Sequence, residues 1–379
     1  MSKKGRVLVA MSGGIDSSVA AVMLHEQGYE VVGITMKTWN YATSGGKKKE
    51  TGCCSLDAIN DARNVAVELG FPHIVLDIRE AFGSYVIDHF KAEYLAGRTP
   101  NPCVLCNTHI KWDALLQRAN KLNCDYLATG HYAKVRASGG RYIISKGLDA
   151  KKDQSYALWG VSQESLSRTL LPLGGYTKSF IRAFAAERGF TDLVHKSESY
   201  EICFIPDNDY RGFLKRQLPG LEERVKGGTF ILEDGTVVGH HEGYPFYTIG
   251  QRKGLNIALG YPVYVTAIHK ETNQIVLGTF DQLLRDGMYV HQLNLSKYID
   301  VKGKKLDTFT KVRYNDPGTP AVIEQVGDQM HVFFGTGVHA VTPGQAAVFY
   351  EEEDVIGGGW ILSAFQKNRP IRSYTQQIE

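Results

Sequence analysis

The chain has 379 residues, 43 Lys and Arg against 40 Asp and Glu, a formal net charge of +3 and 43% hydrophobic residues. That length calls for two or three domains with ample core material, and the small positive charge does not by itself establish nucleic-acid binding but permits a local basic face. The first residues lead straight into a strand and no apolar run nears membrane length, so a cytoplasmic chain without a signal peptide or spanning helix is expected, and its six cysteines are not read as a structural disulfide framework.

The first element is an apolar strand, Val7 to Met11, which runs into SGGIDSS at 12–18. A helix follows, with Val19, Ala20, Val22, Met23 and Leu24 at helical spacing. A glycine turn in that position aims backbone N–H groups and the positive helix end at one point, which suits a phosphate. It has neither the Lys-Ser/Thr of a Walker A loop nor the third glycine of a dinucleotide fingerprint. SGGIDSS instead resembles the PP-loop of N-type ATP pyrophosphatases, which split ATP into AMP and pyrophosphate and activate a substrate oxygen with the AMP half. The resemblance implies that Asp16 helps hold Mg2+. The plainer alternative is a capped helix start, with Ser12 or Asp16 serving only the backbone.

A second strand is expected at 30–39, a solvated loop at 43–50, a helix at 58–70 ended by glycine, and a third strand at 73–78. In the 43–50 loop, a phosphate grip by Lys47 to Lys49 is the minority reading. Helices at 84–97 and 107–123 and a strand at 125–133 continue the βαβ rhythm of an α/β, doubly wound parallel sheet, assigned to a PP-loop catalytic domain over 1–212. Beyond it, short strands and Asp-Gly turns, including the hairpin-like ILEDGTVV, predict a small β-rich central domain over 213–284. A C-terminal β-barrel over 285–379 completes the chain.

GRTPNPCVLCN places Cys103 and Cys106 after two X-Pro turns and before the helix expected at 107, so Cys106 is expected near a helix N-terminus, where a thiol's pKa falls. The pair also fits half a zinc site with His109 as an uncommon third ligand, a dithiol redox motif, or two buried thiols. Cys53, Cys54 and Cys124 read as buried thiols, and Cys203, between Ile202 and Phe204, reads by sequence alone as a core residue.

Over nearly its full length the chain resembles bacterial tRNA-specific 2-thiouridylase. The ordered strings are SGGIDSS, GRTPNPCVLCN, TGHYA, KKDQSY, EICFIPD, HEGYPFYTIGQRKGL, VRYNDP and TPGQAAVFY. The resemblance implies ATP-dependent 2-thiolation of the wobble uridine in tRNAs for Lys, Glu and Gln, by adenylation of the 2-oxygen and transfer of sulfur. It implies that Cys203 carries a persulfide received from a cysteine desulfurase or a sulfur carrier protein. Cys106 is the implied nucleophile, and the step ends in a Cys106–Cys203 disulfide.

The same resemblance implies that Ala10, Met11, Ser12, Gly13, Gly14, Ile15, Asp16, Ser17, Met36 and Gly130 line ATP, with Gly130 allowing close backbone approach. Asn101, Pro102 and Cys103 would face a flipped target base. His131, Lys152, Asp153, Gln154, Arg313, Tyr314 and Gln345 would contact tRNA. Many relatives carry Asp where this chain has Cys103, so the proton-transfer role of that position lacks its carboxylate here. An iron–sulfur cluster on Cys103, Cys106 and Cys203 is the second reading of the sulfur step. A PP-loop ligase adenylating a small metabolite is the alternative from another class.

Overall fold

Burial of one apolar run on both of its faces explains the first sheet. In the computed structural model, which describes residues 4–39, 55–195 and 202–367, Val7, Leu8 and Val9 of β1 (Arg6–Ala10) are fully buried. Val7 and Val9 pack in one cluster with α1 (Ile15–Glu26) and α2 (Leu56–Leu69), whereas Leu8 packs in another with Trp112, Leu115 and Ala119 of the helical run 102–121. A strand covered on both faces is the signature of a parallel α/β sheet. The loop expected at 43–50, with Cys53 and Cys54, lies outside the described residues.

The sheet runs β3 (His73–Asp77), β2 (Glu30–Lys37), β1, β4 (Tyr126–Thr129), β7 (Thr169–Leu170), and every pairing is parallel. Chain order reverses between β1 and β4. Doubly wound sheets bind ligands in the crevice outside the carboxyl ends of the strands at such a point.

Two elements differ from the sequence expectation. The helix expected over 107–123 starts at Pro102, because a proline in the first turn has its φ preset and lacks only an N–H that would have had no helical partner. This run, α4, joins an α-helical turn Pro102–Leu105, a π-helical stretch Cys106–Trp112 and an α-helical end Asp113–Lys121. The strand expected over 125–133 is broken after Thr129: Ala133 opens β5 (Ala133–Ser138), which pairs antiparallel with β6 (Arg141–Lys146).

The middle domain is a four-stranded sheet, β10 (Tyr264–His269), β11 (Gln274–Gly278), β8 (Gly228–Ile231), β9 (Val237–His241). An aromatic cluster including Phe82, Phe90, Phe204, Phe213 and Phe246 joins it to the helical run 79–95, α3.

The C-terminal strands β12 (Leu284–Leu295), β13 (Lys305–Lys311), β14 (Thr319–Val326), β15 (Gln329–His339), β16 (Ala346–Glu351) and β17 (Asp354–Phe365) close into a barrel through the β12–β17 pairing. The β5–β6 hairpin extends that sheet through a single bridge, Ser145 to Asp354. The buried Asp354 carboxylate accepts from Ser145 Oγ at 2.8 Å and from Lys297 Nζ at 2.7 Å, and it also pairs with Arg136. No helix among the described residues is long and apolar enough to cross a membrane.

Candidate active site

The loop after β1 folds on itself. Ser17 Oγ accepts from Ser12 N at 3.0 Å and donates to Gly14 O at 3.1 Å, while α1 begins at Gly14 with no side-chain cap. Its first-turn N–H groups are therefore left to other acceptors. Gly13 has φ +71°, and a Cβ there would lie 2.0 Å from Ala58 O, so only glycine fits. At Gly14 a Cβ would meet only Ser12 Oγ at 3.6 Å, which leaves that side of the turn open. Gly130 does give a close approach, but to the loop itself: a Cβ there would lie 2.7 Å from Ser17 N. Met36 lies near the end of β2, at the same edge of the sheet as Ala10 and Gly130.

Asp16 is gripped from two sides. Lys178 Nζ donates to both carboxylate oxygens at 2.7 Å, and Tyr132 Oη donates to Oδ1 at 2.7 Å. Lys178 opens α5 (Lys178–Glu187). Sequence reasoning missed it, although a lysine at the first position of a helix stands against the helix dipole and signals a local anion. The Asp16 side chain stays 34% exposed, so one edge can still meet a cation.

Cys103 and His131 mark the floor of the crevice. Cys103 is the second residue of α4 and is open to water, yet the surrounding protein desolvates its thiol and raises its pKa, with Lys111 opposing. His131 follows β4, with Nδ1 2.7 Å from Thr129 Oγ1 and its ring 5.5 Å from that of Trp112. Desolvation, aided by Lys111, holds its pKa well below the ordinary imidazole value, so it is neutral at neutral pH. The ring contact with Trp112 sets the residue that follows β4 against the π-helical stretch of α4.

The helix-terminal position expected for Cys106 belongs to Cys103. Since α4 starts at Pro102, Cys106 lies a turn inside it, half-buried against the aromatic cluster beside Ile110. Cys203 is exposed rather than a core residue; Phe204, only 1% exposed, carries the burial of that segment. Ile202 and Phe204 pack in the large aromatic cluster that Cys106 also adjoins, Phe204 meeting the rings of Phe82, Phe90 and Phe213. Among the described residues no three His, Cys, Asp or Glu side chains gather in a metal-binding group, so Cys103, Cys106 and Cys203 are not arranged as cluster ligands. Cys124 is buried as expected.

Residues from distant segments surround Asn101–Cys103. Gln345 Nε2 donates to Thr99 O at 3.0 Å and Pro100 O at 2.9 Å, and Thr99 N donates to Pro343 O at 3.0 Å. Tyr314 Oη donates to Asp153 O at 3.1 Å, and its ring meets Tyr156 edge-on. Tyr156 is buried, which raises its hydroxyl pKa, and it senses Asn101, Arg313 and Cys103. The Asp153 carboxylate is engaged with Gly147 N and Ser155, while Gln154 Oε1 accepts from Tyr132 N at 3.0 Å. Arg313 is exposed, with a long 3.4 Å contact to His339 O. A surface cavity of about 350 Å³ on the middle domain, bordered by Arg252, Asn256 and Tyr261, contains none of these residues.

Comparison with known proteins follows the same three parts. Residues 5–207 match the tRNA methyl transferase HUP domain family, 211–279 the tRNA methyl transferase PRC-barrel domain, and 285–361 the aminomethyltransferase beta-barrel domain. The chain is 76% identical over 365 residues to tRNA-specific 2-thiouridylase MnmA of Amoebophilus asiaticus (strain 5a2), covering 96% of this chain and 97% of the relative. The protein of the same name from Cytophaga hutchinsonii is 72% identical over 368 residues, with 97% and 100% covered. That of Salinibacter ruber is 60% identical over 365 residues, with 95% of each covered. At that identity over nearly the whole of both partners, the chain belongs to the tRNA-specific 2-thiouridylase family of PP-loop enzymes.

Proposed function

We propose that the chain is a tRNA-uridine 2-sulfurtransferase that uses ATP to thiolate the wobble uridine of tRNAs for Lys, Glu and Gln in the cytoplasm. The observation that carries this reading is one shared crevice. The open turn after β1 packs on Gly130 at the end of β4, and His131, the next residue, meets Trp112 of α4, the helical run that carries Cys103.

The 2-oxygen of uridine is a poor leaving group. Its attack on the α-phosphorus of ATP expels pyrophosphate and leaves the oxygen esterified to AMP, which departs readily. The uncapped N–H groups at the start of α1 and the Ser12–Ser17 loop are the ATP-binding groups in this scheme, with Met36 and Gly130 beside them. Asp16, one edge open, is the fitting ligand for Mg2+, which supplies neutralisation of phosphate charge when bound.

Sulfur reaches Cys203 as a persulfide from a cysteine desulfurase or a sulfur carrier protein, and the exposure of Cys203 suits loading by another protein. Cys106 attacks the Cys203 sulfur, the terminal sulfur passes to uridine C2, AMP leaves, and the two cysteines end as a disulfide. His131, held neutral by desolvation, is a tRNA contact in this scheme, on a floor where Cys103 stands in place of the carboxylate many relatives have. Arg313, Tyr314, Lys152 and Gln345 face the tRNA around Asn101–Cys103. A flipped uridine is needed there because its 2-oxygen is otherwise inaccessible.

Pyrophosphate release measured with and without tRNA tests the reading. Release only in the presence of a substrate tRNA supports it. Release driven by a small metabolite alone would favour the ligase alternative.

A further inference from the structure

The Asp16–Lys178 pair sits where the chemistry needs a carboxylate that can meet a metal. Lys178 contacts both oxygens of Asp16 at 2.7 Å, its side chain is only 8% exposed, and Tyr132 Oη adds a third donor at 2.7 Å. The lysine backbone is fixed separately. Lys178 N donates to Asp149 Oδ2 at 2.9 Å, and Thr177 caps α5 by accepting from Phe180 N. The four-carbon stem carries the ammonium separately to Asp16, over the Tyr132 ring at 5.9 Å.

A divalent cation approaching a carboxylate clamped by an ammonium meets a like charge at close range. The clash is relieved only if the ammonium acquires another anion within reach of its stem. ATP brings one to the same place, because Asp16 belongs to the loop whose open turn faces the phosphates in the scheme above. Tyr132, the other donor, is two residues from Gly130, which packs on that loop.

We infer that Lys178 is an exchangeable counter-ion: it covers Asp16 in the nucleotide-free chain and moves to the ATP phosphates when metal and nucleotide bind together. In the bound state its charge lies against the oxygens that become pyrophosphate, stabilising the departing group. The inference rests on the reading of Asp16 as a metal ligand. It predicts that metal and nucleotide bind cooperatively, the metal alone poorly.

Mn2+, followed by its electron paramagnetic resonance signal, and α,β-methylene-ATP, followed by calorimetry, are the probes. In Lys178→Met, which keeps the stem and removes the charge, nucleotide-free Mn2+ affinity should rise about tenfold or more as Asp16 is uncovered. The affinity for α,β-methylene-ATP in chelator, without divalent metal, should fall about tenfold to a hundredfold. Lys178→Arg should keep both near wild type, and Tyr132→Phe should raise Mn2+ affinity slightly without weakening the nucleotide. Unchanged metal-free nucleotide affinity in Lys178→Met, or lower Mn2+ affinity in that variant, would overturn the exchange and leave Lys178 a purely structural partner. If Lys178→Met does not fold, Lys178→Gln carries the same two readouts. The Asp16 reading fails separately, if Asp16→Asn added to Lys178→Met leaves the gained Mn2+ binding in place.

Discussion

The nucleotide loop and the crevice floor share one end of a sheet but are held by opposite means. The backbone of the loop is closed by its own residues, through Ser17 to Ser12 and Gly14, and is backed by Gly130 and Ala58, with only the Asp16 carboxylate held from elsewhere by Lys178 and Tyr132. The floor at Asn101–Cys103 is held from outside, by Gln345 on Thr99 and Pro100 and by the Tyr314–Tyr156 contact across from the barrel. A loop whose backbone closes on itself ties a defect to one chemical step. A floor held by another domain lets the barrel, where tRNA is proposed to sit, govern how the base meets the thiols.

The sharpest way to break this comparison is inside the loop. Asp16→Ala should lower tRNA-dependent pyrophosphate release by at least about a hundredfold, while tRNA affinity measured by filter binding stays within about twofold. Equal losses in both would mean that the loop also serves the floor.

Next comes the brace. Gln345→Ala removes two hydrogen bonds from the chain leading into Cys103, each contributing about 1 kcal/mol. Thiolation kcat should fall about tenfold through misplacement of the base, with the affinity for α,β-methylene-ATP unchanged. A loss confined to tRNA KM would make Gln345 a tRNA contact only.

These two regions were unequally readable before the structure. The loop lies in one strand–turn–helix, so its glycine turn and the parallel sheet followed from local spacing, the role given to Asp16 came from the resemblance of SGGIDSS to the PP-loop, and the middle sheet and barrel followed from their turns. The floor depends on Pro102 starting α4 early, which moved Cys106 inside the helix, and on β4 breaking at Thr129, which freed β5 for the barrel. Neither shift changes the apolar pattern: the first is set by the proline at the helix start and the second by the pairing of β5 with β6. Lys178, 162 positions from Asp16, was likewise out of reach of any local signal except its place at a helix start.

Arg313→Ala should have a smaller effect, a few-fold loss of tRNA affinity with the salt dependence reduced by about one contact, and no change in nucleotide binding. An unchanged salt slope would assign Arg313 to the barrel alone.

The smallest effect on activity belongs to His241 of the middle domain, outside both regions. Burial lowers its pKa to about 4. Unfolded, an imidazole binds its proton near pH 6.5, so the contribution of His241 is complete above that value and is lost as pH falls toward 4, by at most about 1.4 kcal/mol per pH unit. His241→Phe should flatten the acid side of the thermal-stability profile and leave thiolation at neutral pH unaltered. An identical acid profile in the variant would remove His241 as its cause.

The central claim is that uridine is adenylated at the loop and receives its sulfur from Cys203. It is tested most directly by nucleoside mass analysis of an unmodified tRNA for Lys, incubated with the chain, ATP, Mg2+ and a persulfide-generating desulfurase. The account predicts 2-thiouridine at the wobble position with the wild-type chain, none without ATP and none with Cys203→Ser. Cys106→Ser should hold persulfide on Cys203 without passing it on. Thiolation by Cys203→Ser, or thiolation without ATP, would contradict it.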